Sequence, residues 1–258
     1  MEIYLYLDED TFLHRLHPVT KIVCLILLFS AAMISSHPLY LLPLLLLVLA
    51  AGALSRSLRN LKRVWPVIVF LVILPPLFWT FFLRRGEHLL LRIGPVPIYS
   101  ESLLYGIGMG LRLNAMLICG VVFLSCTRIE EFTAGLNRMG LPFPVCFALS
   151  LAFRLLPLFI ATASTVAQAQ KARGLDLESG GLVERVRKHI PLIVPVFIVG
   201  VRRADLLAMA LESRGFGFTK GRTHYLEFKA TWADYAVAGF LLALNSACLT
   251  LKLVGRLP

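Results

Sequence analysis

Residues 20–36, TKIVCLILLFSAAMISS, form a nearly uninterrupted apolar run. The dipeptide His37-Pro38 ends it, and a second, uncharged run, LYLLPLLLLVLAAGAL, follows at residues 39–54. Each run approaches the ~20 apolar residues that an α-helix needs to cross the hydrocarbon core of a bilayer. The whole chain agrees, because 58% of its 258 residues are hydrophobic, against roughly 45–50% in globular proteins. The sequence therefore predicts an all-α polytopic membrane protein.

Three more apolar runs predict further membrane spans: residues 64–83, 103–126 and 232–251. The first contains Pro75-Pro76, and we expect a kink or a break there because proline removes a helical hydrogen bond. The second carries Gly106 and Gly110 in GxxxG spacing, which permits close helix contact in lipid. The predicted total is about five transmembrane helices.

The charged loops predict which side of the membrane each connection occupies. RSLRNLKR, at residues 56–63, is the densest positive cluster between two spans, and such clusters stay in the cytoplasm. The N-terminus is then also cytoplasmic, and its acidic start, MEIYLYLDED, lacks the cationic region of a cleaved signal peptide. Residues 84–102 would be external, and their GPVPIYS segment favours a small hairpin or cap. Cytoplasmic Lys and Arg also explain the net charge of +11, so no nucleic-acid partner is expected.

Residues 127–230 differ from the rest of the chain in composition. They hold 14 of the 26 Lys and Arg residues, and only two short apolar patches interrupt them, at 143–153 and 190–201. Patches of 10–14 residues are more often core or interfacial helices than spans. The predicted domains are therefore as follows: membrane helices one to four at 1–126, a cytoplasmic helical domain at 127–230, and a C-terminal membrane helix at 231–258.

Two polar helical runs in this domain end almost identically, with AQKARG at 169–174 and ALESRG at 210–215. Glycine adopts the left-handed conformation that terminates a helix, so each run predicts a helix with an arginine at its end. One interpretation is that Arg173 and Arg214 only complement the helix dipole, an effect of roughly 0.3–1 kcal/mol. The other is that two planar guanidinium groups dock in two equivalent acidic grooves on a partner, since arginine binds carboxylates in bidentate fashion.

Two long stretches carry a family resemblance: FTAGLNRMGLPFPVCFALSLAFRLLPLFIATASTVAQAQKARGLDL at 132–177 and RRADLLAMALESRGFG at 202–217. They resemble the coupling region of the transmembrane T component of energy-coupling factor transporters. FLHRLHPVTK, at 12–21, is similar to the segment leading into that family's first span. One departure is His17 before Pro18, where many members have an acidic residue.

The resemblance implies a scaffold in a bacterial or archaeal cytoplasmic membrane. It implies two ABC ATPase subunits, identical or different, bound through the coupling helices, and a small substrate-binding S subunit bound through the membrane helices. The imported substrate would be a vitamin or a transition-metal ion, cobalt or nickel. The residues that would contact the ATPases are Ala172, Arg173, Gly174, Ser213, Arg214 and Gly215.

Other residues argue against chemistry in this chain. FGFTKGRT, at 216–223, does not match the P-loop pattern GxxxxGK[ST], so we expect no ATP hydrolysis, no catalytic residue and no cofactor. His14 and His17 lie three residues apart without further ligands nearby, and we expect both to be structural. The cysteines have no CxxC spacing and predict neither a disulfide framework nor a zinc site. Arg112, inside the fourth span, is the strongest candidate for an intramembrane functional charge.

Two alternatives stay open at this point. A permease subunit of a conventional ABC transporter would also insert coupling helices into ATPases, but would carry its own translocation path. A membrane enzyme would need an acid, base or nucleophile cluster, and the spans contain no obvious one. Transport without a small membrane partner would favour the permease, and turnover by the isolated chain would favour the enzyme.

Overall fold

The computed structural model describes residues 6–7, 9, 11–34, 37–82, 89–93, 96–175, 181–218, 228 and 230–253. The chain divides into two compact units, one of residues 1–141 with 228–258 and one of residues 142–227. The elements of the first unit are α1 (Pro18–Ile34), α2 (Pro38–Leu54), α3 (Leu58–Arg63), α4 (Trp65–Phe82), β1 (Leu89–Ile93), β2 (Val96–Tyr99), α5 (Ser100–Cys126), α6 (Ile129–Arg138) and α9 (Trp232–Leu253). The second unit contains α7 (Phe143–Ala172) and α8 (Leu182–Ser213).

The prediction of an all-α polytopic membrane protein is confirmed. Among the residues that the structure describes, four helices are long and apolar enough to cross a membrane, namely α4, α5, α7 and α9. α1 and α2 are apolar helices of 17 residues each, close to the lower limit of about 17 for a span. The break predicted at His37-Pro38 is present, because α2 begins at Pro38 and the His37 side chain accepts the Leu39 N–H. The expected hairpin is present as the antiparallel pair β1 and β2.

Helix α7 is longer than its sequence pattern suggested. The apolar patch 143–153 was expected to be a short segment ending near Arg154 and Pro157, yet the helix continues through both residues to Ala172. Its first half is apolar and its last turns are polar, so composition alone cannot reveal a single continuous element. By length and composition this helix is a further candidate span. The cytoplasmic location of residues 127–230 stays a prediction.

The core of the first unit lies between α1, α2 and α5. One buried cluster joins Val48 of α2 to four residues of α5: Ile118, Cys119, Val122 and Cys126. A second cluster joins Ala31 and Ala32 of α1 to Leu41 and Leu44 of α2. Two cysteines therefore pack as small apolar side chains, the role that such buried thiols usually have.

The two prolines of α4 neither break the helix nor lie at its ends. Because residues 75 and 76 lack N–H groups, the carbonyls of Leu71 and Val72 lose their helical donors. Gly110 of α5 lies against these carbonyls, since a Cβ placed on it would be 3.2 Å from the Leu71 oxygen and 3.5 Å from the Val72 oxygen. The absence of a side chain at Gly110 therefore lets the two helices approach closely at these carbonyls. The predicted GxxxG contact and the prolines are thus two sides of one interface.

Gly106 allows the closest approach at this interface, and we predict that Gly106→Ala destabilises the protein. A Cβ at this position would lie 2.7 Å from Pro76 Cα, and backbone atoms cannot rotate away as a side chain can. The expected loss is about 1–3 kcal/mol, the usual cost of overpacking. Thermal unfolding of the purified chain in detergent measures it. The matched control is Gly120→Ala on the same helix, which meets no neighbour within 4 Å and should be neutral or slightly stabilising.

Candidate coupling site

The first arginine-ended helix, α7, terminates in a Schellman motif. Arg173 is the C-cap residue, and Gly174 follows with a φ of +88°. The Gly174 N–H donates to the Lys171 carbonyl, and the Leu175 N–H donates to the Gln170 carbonyl, both at 3.0 Å. These two reversed bonds satisfy carbonyls that the end of a helix would otherwise leave without donors. The arginine is therefore carried by a hydrogen-bonded turn.

The second end, at α8, repeats this geometry residue for residue. Arg214 is the C-cap residue, and Gly215 has a φ of +70°. The Gly215 N–H donates to the Glu212 carbonyl at 2.9 Å, and the Phe216 N–H donates to the Leu211 carbonyl at 3.0 Å. The sequence signal of a repeated Arg-Gly ending therefore corresponds to two equal backbone conformations.

The six predicted contact residues lie where the sequence places them. Ala172 and Ser213 are the last residues of α7 and α8, and all six residues of the two tripeptides are exposed. Within the described part of the chain, the guanidinium groups of Arg173 and Arg214 make no hydrogen bond or ion pair. Each one therefore presents its five donors to solvent or to a partner, in the fork that suits a carboxylate.

Helices α7 and α8 pack antiparallel within their unit. At mid-length Gly200 lies under the Phe159 ring, because a Cβ on Gly200 would be 2.9 Å from Phe159 Cε1. Arg173 follows Phe159 by 14 residues, and Arg214 follows Gly200 by the same number. At 1.5 Å per residue, each arginine lies about 21 Å along its helix from this contact. The two arginines are thus equidistant from the mid-point and at opposite ends of the pair.

The sequence patterns did not reveal a buried ion pair that fixes the start of α1. Lys21 belongs to an apolar helix, and its side chain is 5% exposed. Its ammonium donates to Glu131 Oε2 at 2.7 Å, to the His14 carbonyl at 2.8 Å and to the Cys126 carbonyl at 2.9 Å. All three donors of the ammonium are used. This single side chain therefore joins the N-terminal segment, α5 and α6.

A second polar cluster brings together three segments that are distant in sequence. The carboxylate of the buried Asp234, in α9, accepts the backbone N–H of His17 at 2.7 Å. It also accepts the backbone N–H and the hydroxyl of Thr231, each at 2.7 Å. Arg138 of α6 donates to His17 Nε2 and to the Phe228 carbonyl. Burial lowers the pKa of the His17 imidazole, and the positive charge of Arg138 lowers it further. A lowered pKa favours the neutral form of the ring, which makes a structural contact between helix ends.

The remaining candidates do not form a further site. His14 bonds to Thr11 Oγ1 at 2.7 Å and to the Leu7 carbonyl at 3.1 Å, so its two ring nitrogens serve the N-terminal segment. Among the described residues, His, Cys, Asp and Glu side chains form no group of three that could hold a metal ion. Arg112 is half-buried in α5 and donates to Met109 Sδ at 3.6 Å.

Comparisons with known proteins place the chain in a family. The family CbiQ, described as a cobalt transport protein, matches residues 9–225. The chain belongs to this family. Energy-coupling factor transporter transmembrane protein EcfT of Thermosediminibacter oceani is 33% identical over 256 residues, covering 93% of this chain and 94% of the relative. The EcfT proteins of Heliobacterium modesticaldum and Brevibacillus brevis are 32% and 30% identical, each over 246 residues and about 90% of both chains.

Membership confirms the resemblance found in the coupling stretches. This CbiQ-family chain is a multi-pass membrane component of an energy-coupling factor transporter, of the kind called the T component. It is a non-catalytic transmembrane subunit and not an enzyme. The roles of its two arginine-ended helices, its partners and its substrate are taken up as proposals.

Proposed function

We propose that this chain couples two ATPase subunits to a small substrate-binding membrane subunit during import across a bacterial or archaeal cytoplasmic membrane. The observation that carries the proposal is the pair of equal arginine-ended helices. Both ends have the same capping bonds, the same exposure and the same distance from the Phe159–Gly200 contact. A dimer of ATPases offers two equivalent binding grooves, or sockets, related by a two-fold axis. The two helix ends that carry Arg173 and Arg214, called plugs below, match these two grooves in number and in geometry.

The chemistry of each contact follows from the exposed arginine. Arg173 and Arg214 each enter an acidic groove in one ATPase and bind a carboxylate there. Hydrogen bonds between charged groups contribute about 1.5–3 kcal/mol each, more than the helix dipole offers a surface arginine. When ATP binding and hydrolysis move the two ATPases, the sockets pull on the ends of α7 and α8, and the membrane helices transmit that motion to the S subunit.

The transported substrate is a vitamin or a transition-metal ion such as cobalt or nickel, and the pocket that selects it belongs to the S subunit. The description of the family as a cobalt transport protein supports a transition-metal ion, and vitamins are the other substrate class that the resemblance to energy-coupling factor transporters implies. The chain itself therefore supplies mechanical coupling rather than specificity.

Reconstitution distinguishes this function from that of a conventional permease. We predict that proteoliposomes with this chain and the two ATPases encoded in its genome import nothing until the S subunit is added. ATP hydrolysis without the S subunit serves as the control that the ATPases are active. Uptake of a vitamin or metal ion at the same rate with and without the S subunit would favour a permease with its own path.

A further inference from the structure

Three phenylalanine rings meet where α8 ends and α7 begins. The Phe216 ring centroid lies 4.7 Å from that of Phe147 and 6.2 Å from that of Phe143. Phe143 and Phe147 stack on each other with centroids 5.9 Å apart and an interplanar angle of 17°. Aromatic contacts at such separations are stabilising beyond the apolar area that they bury. Phe216, the residue after the second Arg-Gly end, therefore packs against the first two turns of α7.

The backbone connects this ring cluster to the exposed arginine. Phe216 stands two residues after Arg214, and its N–H closes the Schellman motif by donating to the Leu211 carbonyl at 3.0 Å. Arg214 is thus held between the last turn of α8 and a ring that rests on α7. Only Gly215 separates the two residues, so the ring contact holds the backbone directly beside the turn that carries the guanidinium group.

We propose that Phe216 is a positioning residue for Arg214, which fixes the direction of that arginine by binding the α8 end to the start of α7. The proposal rests on the proposed function of the arginine. A force applied at Arg214 then reaches α7 directly, through Phe143 and Phe147, as well as along α8. The corresponding position after Arg173 is Leu175, an aliphatic residue. The two plugs therefore share their capping geometry and differ in the ring contact that supports the second one.

The ring contact is tested on the purified full chain in detergent, without any partner. 4-Fluorophenylalanine is incorporated at position 216, and its fluorine resonance is recorded. We expect a resonance displaced by the neighbouring rings, which moves toward the value of the free amino acid when Phe147→Leu is introduced. The matched control carries the same label at position 218, where the side chain is 91% exposed, and should not respond. If the fluorine resonance of the label at position 216 does not shift when Phe147→Leu is introduced, the positioning role is overturned.

The link to Arg214 is tested with double-mutant cycles on the affinity of this chain for its two ATPases. Phe216→Ala should weaken the binding of the ATPases about tenfold, a typical interaction energy between neighbouring residues. Phe216→Tyr, which keeps the aromatic ring, should bind them as tightly as the unmodified chain. In an Arg214→Ala background the Phe216→Ala change should have no further effect, whereas in an Arg173→Ala background it should keep its tenfold effect.

The outcomes separate this inference from the proposed function. Equal effects of Phe216→Ala in both backgrounds would overturn the positioning role while leaving the two plugs in place. If Arg214→Ala and Arg173→Ala both leave the affinity unchanged, the proposed function fails, and the positioning role fails with it, whatever the fluorine spectrum shows.

Discussion

Reversal of both arginines, Arg173→Glu with Arg214→Glu, should abolish co-purification of this chain with the two ATPases and abolish substrate uptake. Each reversal replaces a donor fork by a carboxylate that faces an acidic groove. Removing one partner of a charge pair at an interface costs about 2–5 kcal/mol, so each single reversal should weaken the complex about 30-fold or more. The pair should weaken it by about the product, because the two sites share no neighbours.

Two exposed arginines on α8 provide a matched control for the change in charge. Arg202→Glu with Arg203→Glu alters the net charge by the same amount, on the helix that ends in Arg214 and more than two turns before that end. This variant should co-purify with the ATPases as the unmodified chain does. Full assembly and uptake by the Arg173→Glu/Arg214→Glu chain would refute the plugs, and equal loss in the control would indicate a general charge effect instead.

Loss of the buried ammonium, by Lys21→Met, should destabilise the first unit by about 3–5 kcal/mol, the usual cost of breaking a buried ion pair from one side. Methionine keeps most of the volume, so the change reports on the charge and its three hydrogen bonds. Glu131, whose side chain is 18% exposed, is left without its cation, and the carbonyls of His14 and Cys126 lose their donor. Thermal unfolding of the purified chain in detergent measures the loss.

Two comparisons make the Lys21 result specific. Lys21→Met with Glu131→Gln should recover part of the stability, because the second change removes the uncompensated carboxylate. Arg56→Ala breaks the ion pair with Glu9, in which the arginine side chain is 74% exposed, and should cost at most about 1 kcal/mol. A Lys21→Met chain as stable as the Arg56→Ala chain would show that the buried pair contributes little.

The local features of this protein were predictable because they depend on neighbours in sequence. Apolar runs of sufficient length predict helices in a membrane, and a glycine after an arginine predicts where a helix stops. Both Arg-Gly ends appear as such, with a left-handed glycine and equal capping bonds. His37-Pro38 likewise gave a correct break between α1 and α2, since the side chain of His37 caps the helix that proline begins.

The extent of the helices around prolines was less predictable. Pro75-Pro76 predicted a kink or a break, and α4 continues without a break, with Gly110 of a neighbouring helix against the carbonyls that the prolines leave without donors. α7 continues past Pro157 in the same way. Propensity describes what a residue costs in an isolated helix, and packing against another helix can offset that cost.

The sequence by itself determined that this chain is a helical membrane protein of the CbiQ family with two arginine-ended helices. Apolar runs, helix-ending glycines and family motifs each depend only on residues that are neighbours in the sequence. Only the tertiary structure decided which distant residues meet: Lys21 with Glu131, His17 with Asp234, and Phe216 with Phe147. It also decided that Arg173 and Arg214 lie at opposite ends of one antiparallel pair, equally far from the contact of Phe159 with Gly200. Such pairings depend on how helices pack, and a helix of given sequence can offer the same face to many different neighbours.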